Sequence, residues 1–125
     1  MITYKIDESQ LADLQKRLDP DKYQKAIDIA LFNIGQEMSR DAKQKAPYDT
    51  GTLRKSIESH VEPGKWVEVG TDVVYAAIHE FGGRTGRNNS VLIKAKPYLK
   101  PAFETQTKGR AIDEINKQFS KILNG

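Results

Sequence analysis

Pro47 to Gly83, PYDTGTLRKSIESHVEPGKWVEVGTDVVYAAIHEFGG, decides how this chain folds. It opens with a helix stop at Pro47 and a turn at Asp49-Thr50-Gly51, and it closes in an aromatic-rich piece ended by Gly82-Gly83. Between these, Leu53, Ile57 and Val61 share one side of an extended segment, with Ser59 among them. Pro63-Gly64 turns the chain, Pro fixing φ at the first central position and Gly accepting positive φ at the second. Trp66, Val67 and Val69 return, so the segment reads as a β-hairpin. Gly70-Thr71-Asp72 reads as another turn, and Val73 to Phe81 as a strand leading into a short helix that carries Tyr75, Ile78 and Phe81.

Working outward, Asp19 is a good N-cap and Pro20 loses no hydrogen bond at the first helical position. From Tyr23 the apolar positions Ile27, Ala30, Leu31, Ile34, Met38 and Ala42 recur at helical spacing, and Pro47 forces Ala46 out of the helix. Lys43 and Lys45 suit the negative end of the helix dipole. Gly35 in mid-helix costs ~1 kcal/mol against Ala, which points to a close crossing there. Upstream, Ile2, Tyr4 and Ile6 alternate as in a half-buried strand. Asp7 and Gln10 form a capping pair for a short helix with Leu11, Leu14 and Leu18 on one face.

Downstream, Gly82 to Ser90, GGRTGRNNS, holds no apolar residue and reads as a mobile loop. Val91-Leu92-Ile93 reads as a short buried strand. Lys96-Pro97-Tyr98 leads into one final helix striped by Ile112, Ile115, Phe119, Ile122 and Leu123, with Pro101 tolerable only in its first turn. The expectation is an α+β fold over residues 1–125 as one domain: a mainly antiparallel sheet of about four strands, including the β-hairpin, packed against the long helix of the N-terminal half and the C-terminal helix.

Composition narrows the function. A chain of 125 residues buries roughly two thirds of its unfolded surface. Its 38% apolar and 30% charged residues suit a charged exterior around a real core. No apolar run nears the ~20 residues of a membrane span, and the start lacks a signal-peptide pattern, so synthesis and folding in a cytoplasm are expected. The absence of cysteine removes disulfides and thiolate metal sites. A net charge of +3 does not by itself indicate a nucleic-acid binder, yet Arg84, Arg87, Lys94, Lys96 and Lys100 run without an intervening acid. A solvated loop and strand edge is the plain reading of that run.

Two triplets imitate catalysts. Asp49-Thr50-Gly51 matches the DTG of aspartic proteases, but it follows Lys45-Ala46-Pro47-Tyr48 off a helix, where a turn is the natural role. His79-Glu80 begins like HExxH, but Gly83 occupies the place of the second ligand, and His60 is the only other histidine. No GxSxG or P-loop spacing occurs. No catalytic, cofactor or metal residue is assigned.

Four pieces in series are more specific: Ala46-Pro47-x-Asp49-Thr50-Gly51-x-Leu53-Arg54-x-Ser56-Ile57; Val69-Gly70-Thr71; Tyr75-Ala76 with Glu80-Phe81-Gly82; and Lys96-Pro97-Tyr98-Leu99-x-Pro101-Ala102. This order resembles the minor tail, head-tail joining or tail-completion neck proteins of long-tailed double-stranded DNA phages and prophages. The resemblance implies a non-enzymatic virion protein without a cofactor, made in the host cytoplasm and placed at the head-tail junction. It implies a hexameric ring of this chain with itself, bounded by connector and tail-tube or tail-terminator proteins. Genome DNA would pass through the lumen without sequence-specific binding, and no membrane is involved. Arg84, Arg87, Asn88 and Asn89 would then form an inter-subunit or lumen loop. A small basic nucleic-acid-binding module, and less so a dimeric aspartic-protease-like enzyme using Asp49, are the alternatives.

Overall fold

The computed structural model describes residues 2–7, 19–47 and 51–124. The capping pair at Asp7 and Gln10, the helix of Leu11 to Leu18, and Asp49 with its turn lie outside the described residues or their described side chains. Helix α1, Pro20–Lys45, forms as its caps dictate: the Asp19 carboxylate accepts the Asp21 N–H at 2.9 Å, Pro20 stands at the start, and Ala46 leaves in an extended conformation. Its buried stripe is the one read from the spacing, from Tyr23 through Ile34 to Ala42.

That stripe packs on a three-stranded antiparallel sheet of β1 (Ile2–Asp7), β2 (Glu58–Glu62) and β3 (Trp66–Thr71), in the order β1-β3-β2. The register sets Val67 between Ile6 and Val61, and Val69 between Tyr4 and Ser59, facing the helix. The opposite face carries Thr3, Gly70 and Glu58 in one row and Lys5, Glu68 and His60 in the next. Gly35 is where helix meets sheet: a Cβ there would stand 2.6 Å from a Val67 methyl and 3.1 Å from the Ser59 Cβ. The mid-helix glycine is therefore a contact point, as its cost in helix propensity suggested.

Several boundaries differ from the sequence reading. Thr52–Ser56 is a short helix, α2, so Leu53 enters the core from a helical turn and the hairpin starts at Glu58. Gly51 at φ 81° permits this abrupt re-entry into helix after Pro47. Gly70 and Thr71 belong to β3 and pair with Thr3 and Ile2, because β1 supplies a partner that a local turn reading ignores. Val73 to Tyr75 form no strand before α3, Ala76–Phe81; the Thr71 hydroxyl instead accepts the Val73 N–H at 3.1 Å and turns the chain.

The single C-terminal helix is interrupted. α4, Leu99–Thr105, passes through a π-helical turn at Gln106–Arg110 into α5, Ala111–Asn124. Pro101 does sit in the first turn. Gly109 departs from helical geometry inside the π turn, and the resulting shift leaves Ile112 exposed while Ile115 and Phe119 remain buried. Ile34 and Ile115 meet in one cluster with Tyr23, Ile27, Val67 and Phe119. A second cluster joins Met38, Ala42, Leu53, Ile57, Tyr98 and Leu99. The fold is α+β with antiparallel sheets, a long helix in the N-terminal half and a helical C-terminus.

Candidate functional site: a basic hairpin on a buried clamp

The segment read as a mobile loop followed by a buried strand is an ordered, exposed hairpin. β4 (Gly83–Thr85) pairs antiparallel with β5 (Val91–Ile93), Arg84 standing opposite Leu92. Backbone pairing needs no apolar side chains, and the reversal is made by residues that tolerate positive φ: Gly86 at 80°, Asn88 at 57° and Asn89 at 54°. The Asn89 N–H donates to the Gly86 carbonyl at 3.1 Å and the Ser90 N–H to the Arg87 carbonyl at 3.2 Å. Every residue from Gly83 to Leu92 is exposed, including Val91, and Leu92 is 67% exposed. Three apolar residues in a row therefore do not mark a core strand here.

The base of this hairpin is held from inside the protein. Glu80 is only 2% exposed, and its carboxylate accepts the N–H groups of Tyr98 (2.9 Å), Leu99 (2.7 Å) and Lys100 (3.0 Å). These are orphan donors at the start of α4, which has no capping side chain of its own at Tyr98. A carboxylate at that position also meets the positive end of the helix dipole. The Tyr98 hydroxyl returns the contact by donating to the Ala76 carbonyl at 3.1 Å, and the Lys96 N–H donates to the His79 carbonyl at 2.9 Å. Burial, then Glu80 and Tyr75, push the Tyr98 hydroxyl well above the usual phenol range. At the foot of the hairpin Gly82, at φ 75°, lies so close to Ala95 that a Cβ would stand 2.9 Å from its N atom.

This explains His79-Glu80 without metal chemistry: Glu80 is turned inward onto α4, and His79 meets Tyr75 edge to face at 5.7 Å. The aromatic residues of this short helix do not enter the core: Tyr75 and Phe81 are exposed, Phe81 by 62%. What α3 buries is Ala76 and Glu80.

The other sequence pieces interlock in the same way. The Arg54 guanidinium donates to the Ala46 carbonyl at 3.1 Å across the first piece, and the Ser56 and Thr71 hydroxyls share a hydrogen bond of 2.6 Å between the first and the second. Ala76 and Glu80 join the third piece to the fourth through Tyr98. These residues build the frame, and Arg84, Arg87, Asn88 and Asn89 stand out from it together at the hairpin end. Neither Arg84 nor Arg87 has an ion-pair partner among the described residues.

A family model described as the phage virion morphogenesis family matches residues 32–120, which takes in all four interlocked pieces and the hairpin. The chain belongs to that family. The Mu-like prophage FluMu G protein 2 of Haemophilus influenzae is 36% identical over 75 residues, which is 60% of this chain and 52% of the relative. The chain thus spans about half the length of this curated relative. No solved structure matches. A role in phage virion morphogenesis accords with the resemblance read from the four pieces. No helix among the described residues is long and apolar enough to cross a membrane.

Sequence reasoning missed the role of Glu80. The signal was present, because Pro97-Tyr98-Leu99 starts a helix with no Ser, Thr, Asp or Asn to cap it. A helix start lacking a local acceptor calls for one from elsewhere in the chain.

Proposed function

We propose that this protein acts at the head-tail junction of a tailed phage or prophage, as one subunit of a ring around the DNA channel, and that the hairpin carrying Arg84 and Arg87 makes contacts between subunits. The observation that carries the reading is the pairing of an exposed basic hairpin with a buried clamp. Three charge-assisted hydrogen bonds to Glu80 fix a segment whose own side chains contribute nothing to the core. A fixed, outward, cationic element is useful to a partner outside the subunit. Membership of a virion morphogenesis family and similarity to a Mu-like prophage protein support the setting.

Connector and tail-tube or tail-terminator proteins would border the ring, and genome DNA would pass through its lumen. Carboxylates of a neighbouring subunit suit the two arginines better than DNA phosphates do, because a conduit must let the genome slide. Arg84→Ala with Arg87→Ala should leave the melting temperature nearly unchanged while infectious particles fall and heads and tails accumulate unjoined. Normal virions at wild-type yield would remove the hairpin from the mechanism. A steep salt-dependent affinity of the purified protein for free DNA, lost in the double variant, would instead favour a nucleic-acid-binding module.

A further inference from the structure

We infer that the hairpin of one subunit docks on the outward face of the three-stranded sheet of the next, its arginines entering a carboxylate-lined cleft at Gly70. The inference rests on the ring reading and names the surface that receives the hairpin.

The sheet face opposite α1 has no covering element among the described residues. Glu58, His60 and Asp72 on and beside it are exposed, and Glu68 is half-buried. Towards the Glu58–Gly70 end of this face lies a cleft of about 260 Å³ whose lining includes Thr3, Glu58, His60, Glu68 and Asp72. Gly70 forms its floor, and no side chain can be added there, because a Cβ would collide with the backbone oxygen of Ile2. The cleft is therefore a fixed consequence of the β1–β3 pairing.

Its chemistry complements the hairpin. Glu58, Glu68 and Asp72 bring three carboxylates to the cleft, against which the sheet face supplies Lys5, 3.9 Å from Glu68. Between Gly83 and Lys96 the hairpin and its stem carry Arg84, Arg87, Lys94 and Lys96 and no acid. Each arginine presents a planar fork that fits a carboxylate through two N–H groups, which a lysine cannot do. Donor and acceptor surfaces are different patches of one chain, and neither is covered by the other within the subunit, since Gly83 to Leu92 are exposed. A contact between two unlike patches is head to tail, and it closes into a ring when the rotation per subunit allows.

Since the chain has no cysteine, disulfide trapping is free of background. Ser90→Cys beside the hairpin turn and His60→Cys in the cleft are placed in one chain, with Ser90→Cys and Lys108→Cys as the control pair. Particles purified from producing cells are oxidised and run without reductant. The 60–90 pair should give a ladder of covalent oligomers and the 90–108 pair should not. Arg84→Glu with Arg87→Glu, or Glu58→Lys with Glu68→Lys, should each cut the ladder by about tenfold or more through like-charge repulsion, and all four changes together should restore it. Oligomers that sediment normally but give no 60–90 bond, or a ladder indifferent to charge reversal, would overturn the docking and leave the ring intact. Recovery of the chain from particles only as single subunits would overturn the ring reading, and the docking with it.

Discussion

Glu80 and Tyr98 are bound to each other's helices in both directions. The Glu80 carboxylate accepts the Tyr98 N–H at 2.9 Å, and the Tyr98 hydroxyl donates at 3.1 Å to the Ala76 carbonyl, one turn before Glu80. Tyr98 is fully buried in the cluster that also holds Leu53, Ile57 and Ala102. The two helices that flank the hairpin are thereby fixed to one another and to the core.

Glu80→Ala leaves three backbone N–H groups at the start of α4 without their acceptor, two of them, those of Tyr98 and Leu99, buried. The loss should reach about 3 kcal/mol or more, since hydrogen bonds to a charged group are each worth ~1.5 to 3 kcal/mol net. Glu80→Gln, which keeps one acceptor oxygen, should lose less. Urea unfolding of both variants checks the order, and an Ala variant as stable as the parent would show that the clamp contributes nothing.

Alkaline pH tests the other half of the pair. The Tyr98 hydroxyl is held above its ordinary value of 10.0, so the unfolded chain releases this proton before the folded one does. Its contribution to stability is complete below about pH 10 and shrinks as pH rises beyond that value. Tyr98→Phe should lower stability at neutral pH by roughly 0.5 to 1.5 kcal/mol, through loss of the hydroxyl's bond to the Ala76 carbonyl. It should also flatten the decline in alkali. Tyr4, raised chiefly by burial, leaves a residual slope. Thermal melts from pH 8 to 11 distinguish the two curves.

Ile34→Ala and Ile115→Ala should each cost ~2 to 5 kcal/mol, because both side chains are buried in one cluster between α1, α5 and the sheet. Sharing a cluster, they should not be additive; the double variant should depart from the sum by about 0.5 kcal/mol or more. Chemical denaturation of the four-member cycle measures this.

At the hairpin turn, Asn88 and Asn89 adopt φ values that β-branched residues resist. Asn88→Gly should be neutral for the hairpin, whereas Asn88→Val should cost roughly 1 to 2 kcal/mol of local stability. Amide exchange at Thr85 and Val91 reads that change. Equal protection in both variants would refute the turn's dependence on the left-handed region.

Assembly has its own expectation. Subunit contacts made of a charged hairpin and a charged cleft are polar and modest, so the purified chain should sediment as a monomer at micromolar concentration and form the ring only on a connector or tail end. A hexamer persisting at nanomolar protein would defeat the template requirement.

Helix α1 was legible because its signals agree: an N-cap, a proline at the start, a single apolar stripe and a proline after the end. The Glu58–Thr71 hairpin was legible for the same reason, with Gly64 in the turn at φ 73°. Errors fell where a distant partner decides the outcome. Thr71 extends β3 because β1 lies beside it, and α4 begins where Glu80 supplies a cap from 18 residues earlier. The Arg-Asn segment was misread because its lack of apolar residues was taken to mean lack of order. Its order comes from backbone pairing and from two asparagines in an unusual conformation. Of the candidate site, the charges were visible in the sequence and their mounting was not.

The mounting has a mechanical meaning. A hairpin whose feet are joined by the Lys96–His79 backbone bond, next to the Glu80 clamp, behaves as a cantilever: a load applied near Arg87 passes through His79 and Lys96 towards Glu80 and α4, which is seated in the second core cluster. The closer the arm's base is held to the clamp, the more of a displacement at its tip is passed to the body of the subunit. In the ring proposed above, such stiffness would let neighbouring subunits bear strain jointly.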